Sequence, residues 1–429
     1  MHIQFYYTFA AMQNNYDIII IGGGAAGILA AGRASEKGAQ VLLIEKMRSV
    51  GRKMLISGKG RCNITNDSYA SNHIKQAHPK PKFLKKAYKN FFKDDIMSIL
   101  DSQGLKYKTE RGNRVFPESN KSKDVLDAYS RWALTKNVEI ITNSKVIKLI
   151  TEEGECTGVQ YDRGNRKHSV YAKAIILSTG GKSYPLTGST GDGYKLAKDV
   201  GHSIITPRPA LVPIETKGNF AQRLMGLSLK NTTASLWIEG KKVDEEFGEM
   251  LFTHFGLTGP IILTLSRQVV NALANEHHVE IRLDLKPALD EQKLDKRLIK
   301  DLNENGKKYI ENIFKLWMPS KLVKPLMELC KIDSSKLGNQ INGDSRKQIR
   351  IALKELKFEI IGHRPFSEAI ITQGGVNTDE IDPKTMGSKL IKNLYFGGEV
   401  MDVDANTGGY NFQIAYSTAV LAVDSALSE

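Results

Sequence analysis

Residues 17–45 read DIIIIGGGAAGILAAGRASEKGAQVLLIE, and the fold is decided there. Residues 17–21 are a β-branched run of the kind that fills a buried parallel strand. The run passes into Gly22-Gly23-Gly24-Ala25-Ala26-Gly27 and then into a helical segment, residues 25–37. Gly38 ends the helix, and residues 40–44 form a second apolar strand closing on Glu45. A G-x-G-x-x-G becomes informative only inside such a strand–turn–helix–strand unit. Gly22 permits the tight turn, Gly24 lets backbone approach a pyrophosphate, and Gly27 lets helix and strand pack closely. The helix N-terminus then faces the phosphate charge, and Glu45 is placed to accept hydrogen bonds from a ribose hydroxyl. The expectation is a dinucleotide site.

Outward from this unit, the flanking sequence points to a flavin dinucleotide. The residues after Glu45 are a basic loop, Lys46-Met47-Arg48-Ser49-Val50-Gly51-Arg52-Lys53, suited to the adenosine and pyrophosphate end of a cofactor. Next comes Ser57-Gly58-Lys59-Gly60-Arg61-Cys62-Asn63-Ile64-Thr65-Asn66, read as a glycine-rich loop without helix or strand periodicity. Glycine removes the Cβ barrier to close approach by a flat ligand. Two more apolar runs end in glycines: residues 174–177 in Ser178-Thr179-Gly180-Gly181, and residues 394–396 in Gly397-Gly398-Glu399. The chain then passes Asp402 and Asp404 to Gly408-Gly409-Tyr410-Asn411, which opens a helix over about residues 412–427. A second helix N-terminus suits a flavin, whose reduced N1–C2=O edge carries negative charge.

With these motifs the chain resembles the BaiN/YhiN family of FAD-dependent oxidoreductases, which includes aminoacetone oxidase. The matching stretches are residues 51–66, 114–117 (RVFP), 177–193 (LSTGGKSYPLTGSTGDG), 248–260 (GEMLFTHFGLTGP), 372–376 (TQGGV) and 397–415 (GGEVMDVDANTGGYNFQIA). Ser178 stands where alanine is common, and the extension before Met12 is atypical. The resemblance implies an α/β, glutathione-reductase-type Rossmann domain split by an inserted β-barrel-like domain with a helical subdomain. It also implies non-covalent FAD, with Arg61 and Asn63 at the cofactor. Combined with the motif reading, the candidate cofactor residues are Gly22, Gly24, Ala25, Ala26, Gly27, Glu45 and Lys46. They continue with Gly51, Arg52, Lys53, Ser57, Gly58, Gly60, Arg61, Cys62, Asn63 and Val146, then Thr179, Gly180 and Gly181. The last group is Gly398, Glu399, Asp402, Gly409, Tyr410, Asn411 and Phe412.

The FAD domain is expected over 1–201 and 363–429. Residues 202–285 are expected as the barrel-like substrate domain, since 227–243 alternate around Glu239-Gly240 and 278–285 alternate similarly. From 286 the spacing turns helical, as at Leu294, Leu298, Ile299 and Leu302, giving a helical subdomain over 286–345. Residues 338–344 read as a loop, and 346–362 as the return through the insert. Substrate is expected between the FAD domain and the insert.

The chain carries 61 Lys and Arg against 47 Asp and Glu, a net charge of +14. Residues 72–123 hold 13 basic against 5 acidic side chains, and residues 286–357 hold 17 against 10. These two segments contain all of the excess. In residues 83–92 (FLKKAYKNFF) aromatics alternate with lysines at helical spacing, which reads as an apolar core face with solvated lysines outside. The alternatives are steering of an anionic substrate, contact with RNA, or an acidic partner.

Cys62, Cys156 and Cys330 form no CxxC pair, so neither a disulfide framework nor a zinc site is expected, in keeping with a cytoplasmic protein. Residues 1–16 lack the pattern of a signal peptide, Met12 is an alternative start, and no apolar run reaches a membrane-spanning length. No metal ligands, Ser-His-Asp set or paired redox thiols are legible. The expected chemistry is hydride transfer between a small-molecule substrate and flavin N5. His254 is a candidate proton donor or a structural hydrogen-bonding histidine; Tyr184 and Tyr410 either contact substrate or pack against the ring. Cys62 is expected to pack, and His202 and His363 to be structural. The direction stays open between amine or alcohol oxidation by O₂ and NAD(P)H-driven reduction, with NAD(P)H binding transiently. An FAD-containing RNA-modifying or RNA-binding protein is the alternative, and a redox-regulated interaction protein a third reading.

Overall fold

The computed structural model describes residues 15–133 and 135–428, so the expectations for residues 1–14 lie outside the described residues. The chain forms two units, one running to Pro207 and resuming at Thr372, the other Arg208–Ile371.

The first unit is built on β1 (Asn15–Ile21), whose four isoleucines are almost completely buried. β1 pairs in parallel with β2 (Val41–Ile44) on one side and with Arg166–Leu177 on the other. Val138–Ile141 lies beyond β2, and Leu394–Phe396 lies beside the end of Arg166–Leu177, both parallel. A strand flanked by neighbours reached in opposite directions is a topological switch point, and ligands bind at the carboxyl ends of such strands. The helix α1 (Ala25–Glu36) follows β1 and packs on the C-terminal helix Tyr410–Ala426. Arg33 Nε donates to Asp424 Oδ1 at 2.7 Å across that contact. Buried Ile28 and Leu29 contribute roughly 1.5–3 kcal/mol each to the packing of α1.

Several local expectations need correction. Residues 52–56 form the regular turns of a helix, α2 (Arg52–Gly60), that was not expected, while Ser57, Gly58 and Lys59 leave helical geometry and give the glycine-rich stretch the loop-like backbone expected of it. The only buried residue of α2 is Met54, so no apolar stripe announces it. Gly51, at φ 72°, starts α2 and lies so close to Leu126 that a Cβ there would stand 2.3 Å from Leu126 Cδ1. Thr65–Asn66 is a short strand, β3, paired with Arg114–Pro117. The antiparallel meander Lys145–Glu152, Glu155–Arg163 and Arg166–Leu177 was not anticipated. Its turns, Glu153-Gly154 and Gly164-Asn165, have positive φ at both positions, as two-residue hairpins require.

In the second unit six strands close a barrel in the order Ile214–Thr216, Gly256–Thr258, Lys241–Phe252, Ser228–Ile238, Val279–Asp284 and Leu356–His363. The Glu239-Gly240 turn joins the longest pair, and the helix Pro260–Ala274 packs on the barrel. Helices Glu291–Glu304, Ile310–Trp317, Ser320–Leu329 and Gly343–Lys354 follow. Residues 338–344 are therefore a single 3-10 turn, Gly338–Gln340, and the start of a helix rather than a loop. The return through the insert is helical to Lys354 and becomes strand only at Leu356, because Ile349, Ala352 and Leu353 bury one side of a helix.

Candidate active site

The glycine turn after β1 is shaped by close backbone contacts. Gly22, at φ 100°, would bring a Cβ to 2.8 Å from Ser178 O, and Gly27 would bring one to 1.9 Å from Gly22 O. Gly24 has no neighbouring atom within 4 Å of its Cβ position. It caps α1 without a side-chain hydrogen bond, and the first turn has no acidic residue. The first N–H groups of α1 have no acceptor within the helix, and the empty space beside Gly24 leaves room for an anion to approach the helix dipole. These features fit a bound pyrophosphate: tight packing at Gly22 and Gly27, an open face at Gly24.

Glu45, 9% exposed, ends β2. Its Oε2 accepts from Gly23 N–H and its Oε1 from Met47 N–H, each at 2.7 Å. Burial pushes its carboxyl pKa up, against the two backbone donors. A carboxylate has further lone pairs, so ribose hydroxyls can join this arrangement. Lys46 pairs with Asp192 and reaches Thr190, and Arg52 donates to Leu186 O at 3.1 Å. Val146 and Cys62 bury their side chains in the core, leaving only backbone for a cofactor. Burial pushes the Cys62 thiol up to about 12, the condition of a packing residue rather than a thiolate.

A second wall joins residues far apart in sequence. Lys53 Nζ donates to Ser183 Oγ at 2.5 Å and pairs with Glu399 Oε2 at 2.7 Å. Glu399 Oε1 accepts from Ser183 Oγ at 3.0 Å and from Thr372 N–H at 2.8 Å. Thr372 Oγ1 accepts from Lys182 and Ser183 N–H. Gly181 lies against this cluster, where a Cβ would stand 2.5 Å from Thr372 Oγ1. Asp402 accepts from Gly374 N–H at 3.1 Å, and Gly398 N–H donates to Thr418 Oγ1. Ser183 and Thr372 were missed as site residues: nothing local to either marks it.

The third wall is α2, the residues after it and the head of the C-terminal helix. Gly409, at φ 100°, would place a Cβ 2.4 Å from Thr65 O. Asn411 fixes the approach by accepting from Ala405 N–H and donating to Ala405 O. Phe412 stacks on Tyr416, ring centroids 5.8 Å apart. Tyr410 turns its ring toward His73, at 4.8 Å. Arg61 pairs with Glu110, donates to Asn120 and lies 4.0 Å over the Phe116 ring, so its guanidinium is held by protein groups. Asn63 Oδ1 and Thr179 Oγ1 are buried acceptors without a protein partner, a demand that a polar cofactor edge can meet.

Tyr184 sits at φ 52°, uncommon for a bulky residue, at the start of the 3-10 turn Pro185–Thr187. His254 is exposed in the turn between two barrel strands of the second unit. His202 bridges Glu380 and Ser388, and His363 Nδ1 lies 2.9 Å from Arg364 O. Among the described residues no group of three or more His, Cys, Asp and Glu could hold a metal ion. No described helix is long and apolar enough to cross a membrane.

A cradle of this kind, at the switch point of a parallel sheet, belongs to the Rossmann-type FAD-binding oxidoreductases, and that is the class of this protein. Residues 16–425 match the family described as HI0933-like protein Rossmann domain, and the chain belongs to that family. It is 30% identical over 411 residues to the 3-dehydro-bile acid delta(4,6)-reductase of Clostridium scindens, covering 94% of this chain and 97% of that protein. It is also 30% identical over 412 residues to the ribosomal RNA dihydrouridine synthase of Escherichia coli, covering 95% and 97%. Among solved structures, the open conformation of a flavocytochrome c3 fumarate reductase is similar at TM-score 0.50 and 17% identity, over 97% of this chain and 79% of that one. That last likeness concerns the fold alone.

Proposed function

We propose that this chain is a BaiN/YhiN-type flavoprotein reductase that hydrogenates a carbon–carbon double bond conjugated to a carbonyl, its acceptor being a uracil base of RNA. The observation that carries the reading is the open cradle at Gly24, bounded by Glu45 and the Lys53–Glu399 pair, in a chain with such relatives. A 3-oxo-Δ4,6 acid and a uridine are unlike molecules, yet both present a double bond conjugated to a carbonyl. Reduction rather than oxidation is the chemistry they share. FAD bound non-covalently in the cradle would supply two-electron hydride transfer through N5.

The chain's own groups bind and orient. The α1 N-terminus and Lys53 offset pyrophosphate charge, Glu45 holds the ribose, and Asn63 Oδ1 and Thr179 Oγ1 accept from polar edges of the cofactor. Ser183 and Thr372 keep the Lys53–Glu399 pair in one geometry. Tyr184 and Tyr410, which belong to the same unit as the cradle, are the candidates for delivering the proton that accompanies the hydride. Overall the double bond gains a hydride and a proton, and a transiently bound NAD(P)H supplies the two electrons.

The acceptor is favoured as nucleic acid by the surface lysines of residues 72–123; a small enone is the second reading, favoured by the bile-acid reductase relative. Holo-protein, NADPH and a uridine-looped RNA hairpin should yield RNA heavier by two hydrogens per modified base. The same mixture with a 3-oxo-Δ4 steroid in place of RNA tests the second reading. No reduced product from either acceptor would overturn the proposal.

A further inference from the structure

We propose that one lysine-studded helix face in the first unit is an RNA-docking surface; the inference rests on the RNA reading above. The helix α3 (Ala70–Gln76) packs on a 3-10 turn, Pro81–Leu84, that runs directly into α4 (Lys85–Asn90). Phe83, Leu84, Ala87 and Tyr88 are buried, while Lys82, Lys85, Lys86 and Lys89 are exposed. These lysines fall at i, i+3, i+4 and i+7, so they share one face of the helical segment. None of the four forms an ion pair among the described residues, nor does exposed Lys75 on α3. Their neighbours differ: Lys80 pairs with Asp379, and Lys93 with Asp67 and Asp94. In the other basic segment all three arginines, Arg297, Arg346 and Arg350, are held by acids.

Uncompensated cations on a rigid helix match a polyphosphate backbone, which gains by counterion release. The same region offers an exposed aromatic: Tyr69, at the head of the α3 that packs on the 3-10 turn, is 82% exposed and can stack on an unpaired base. The surface also lies close to the cofactor cradle. Beneath the lysines, Tyr88 meets His73 at 5.7 Å, and His73 meets Tyr410 at 4.8 Å, the first residue of the C-terminal helix. Phosphates held on α4 would therefore lie across the Tyr88 and His73 rings from the head of that helix.

The test measures binding of a labelled uridine-looped RNA hairpin to the FAD-loaded full chain across a salt series. Combined Lys82→Gln, Lys85→Gln, Lys86→Gln and Lys89→Gln substitutions should weaken binding by about tenfold or more and reduce the log-affinity against log-salt slope by about 3. A control with the same charge change elsewhere, Lys296→Gln, Lys307→Gln, Lys308→Gln and Lys347→Gln, should leave that slope within about 1 of the parent. Tyr69→Ala should weaken binding without changing the slope. Equal losses in the two lysine variants, an unchanged affinity in the first, or binding to anionic phospholipid vesicles but not to the hairpin would overturn the docking surface. Lysine-dependent binding without uridine reduction would support the surface while removing the proposed reaction. Uridine reduction unaffected by the lysine substitutions would do the reverse.

Discussion

Gly24 and Gly27 stand three positions apart and carry opposite expectations. A side chain at Gly24 meets nothing in the protein and suits its extended backbone, so Gly24→Val should fold normally and fail to retain FAD. A side chain at Gly27 collides with Gly22 O, so Gly27→Val should cost more than the about 1–3 kcal/mol of ordinary overpacking and lower the thermal midpoint with or without cofactor. Melting curves of both apo-proteins, together with flavin content, separate the two roles. The Lys53–Glu399 pair is equally testable, since it is only partly exposed and each partner has further polar contacts. Lys53→Met should weaken FAD binding and leave Glu399 held by Ser183 and Thr372. Full FAD affinity in this variant would remove Lys53 from the cofactor cradle. At this scale the glycine motif was legible because its chemistry is local. Ser183 and Thr372 were not, because their partnership spans 189 residues of chain and leaves no spacing to read.

Among the elements, β1, α1 and β2 were readable from continuous apolar runs and a glycine stop, and the aromatic–lysine pattern of residues 83–92 correctly marked a buried face. The helical turns of 52–56 escaped because they bury only Met54, and the 145–177 meander because its first strand does not alternate strictly between buried and exposed residues. The α3–α4 region carries a pH expectation. His73 is fully buried among Tyr88, Phe92 and Tyr410, with Nε2 at 3.0 Å from Asn66 O and Nδ1 without a partner. Burial lowers its pKa from 6.5 to about 4, so the folded state excludes a proton that the unfolded chain accepts. The stabilisation is complete above pH 6.5 and is lost as pH falls toward 4. Urea midpoints of the parent should therefore decline across that window more steeply than those of His73→Gln. Parallel pH profiles would contradict a buried neutral imidazole.

For the molecule as a whole, the net charge of +14 resolves into two basic segments, residues 72–123 and 286–357. Its fine structure among the described residues is more specific: the three arginines in the helical part of the second unit are tied into ion pairs, unpaired lysines such as Lys296 and Lys307 are scattered there, and four unpaired lysines line one helical face of the first unit. The purified protein should be yellow and release FAD on heating, and a colourless protein indifferent to added FAD would remove the cofactor assignment. The split of the Rossmann unit around a barrel was expected from the resemblance rather than from periodicity, because the one strand that rejoins the sheet, at 394–396, is too short to identify its partner. Transient spectroscopy without oxygen reads the direction of the reaction at the flavin itself. Holo-protein bleached by NADPH would be mixed anaerobically with the RNA hairpin or the 3-oxo-Δ4 steroid while flavin absorbance is followed. Oxidised-flavin absorbance should return at a rate that rises with acceptor concentration. Absorbance that stays bleached with both acceptors and returns only when oxygen is admitted would contradict a reductase and point to an oxidase.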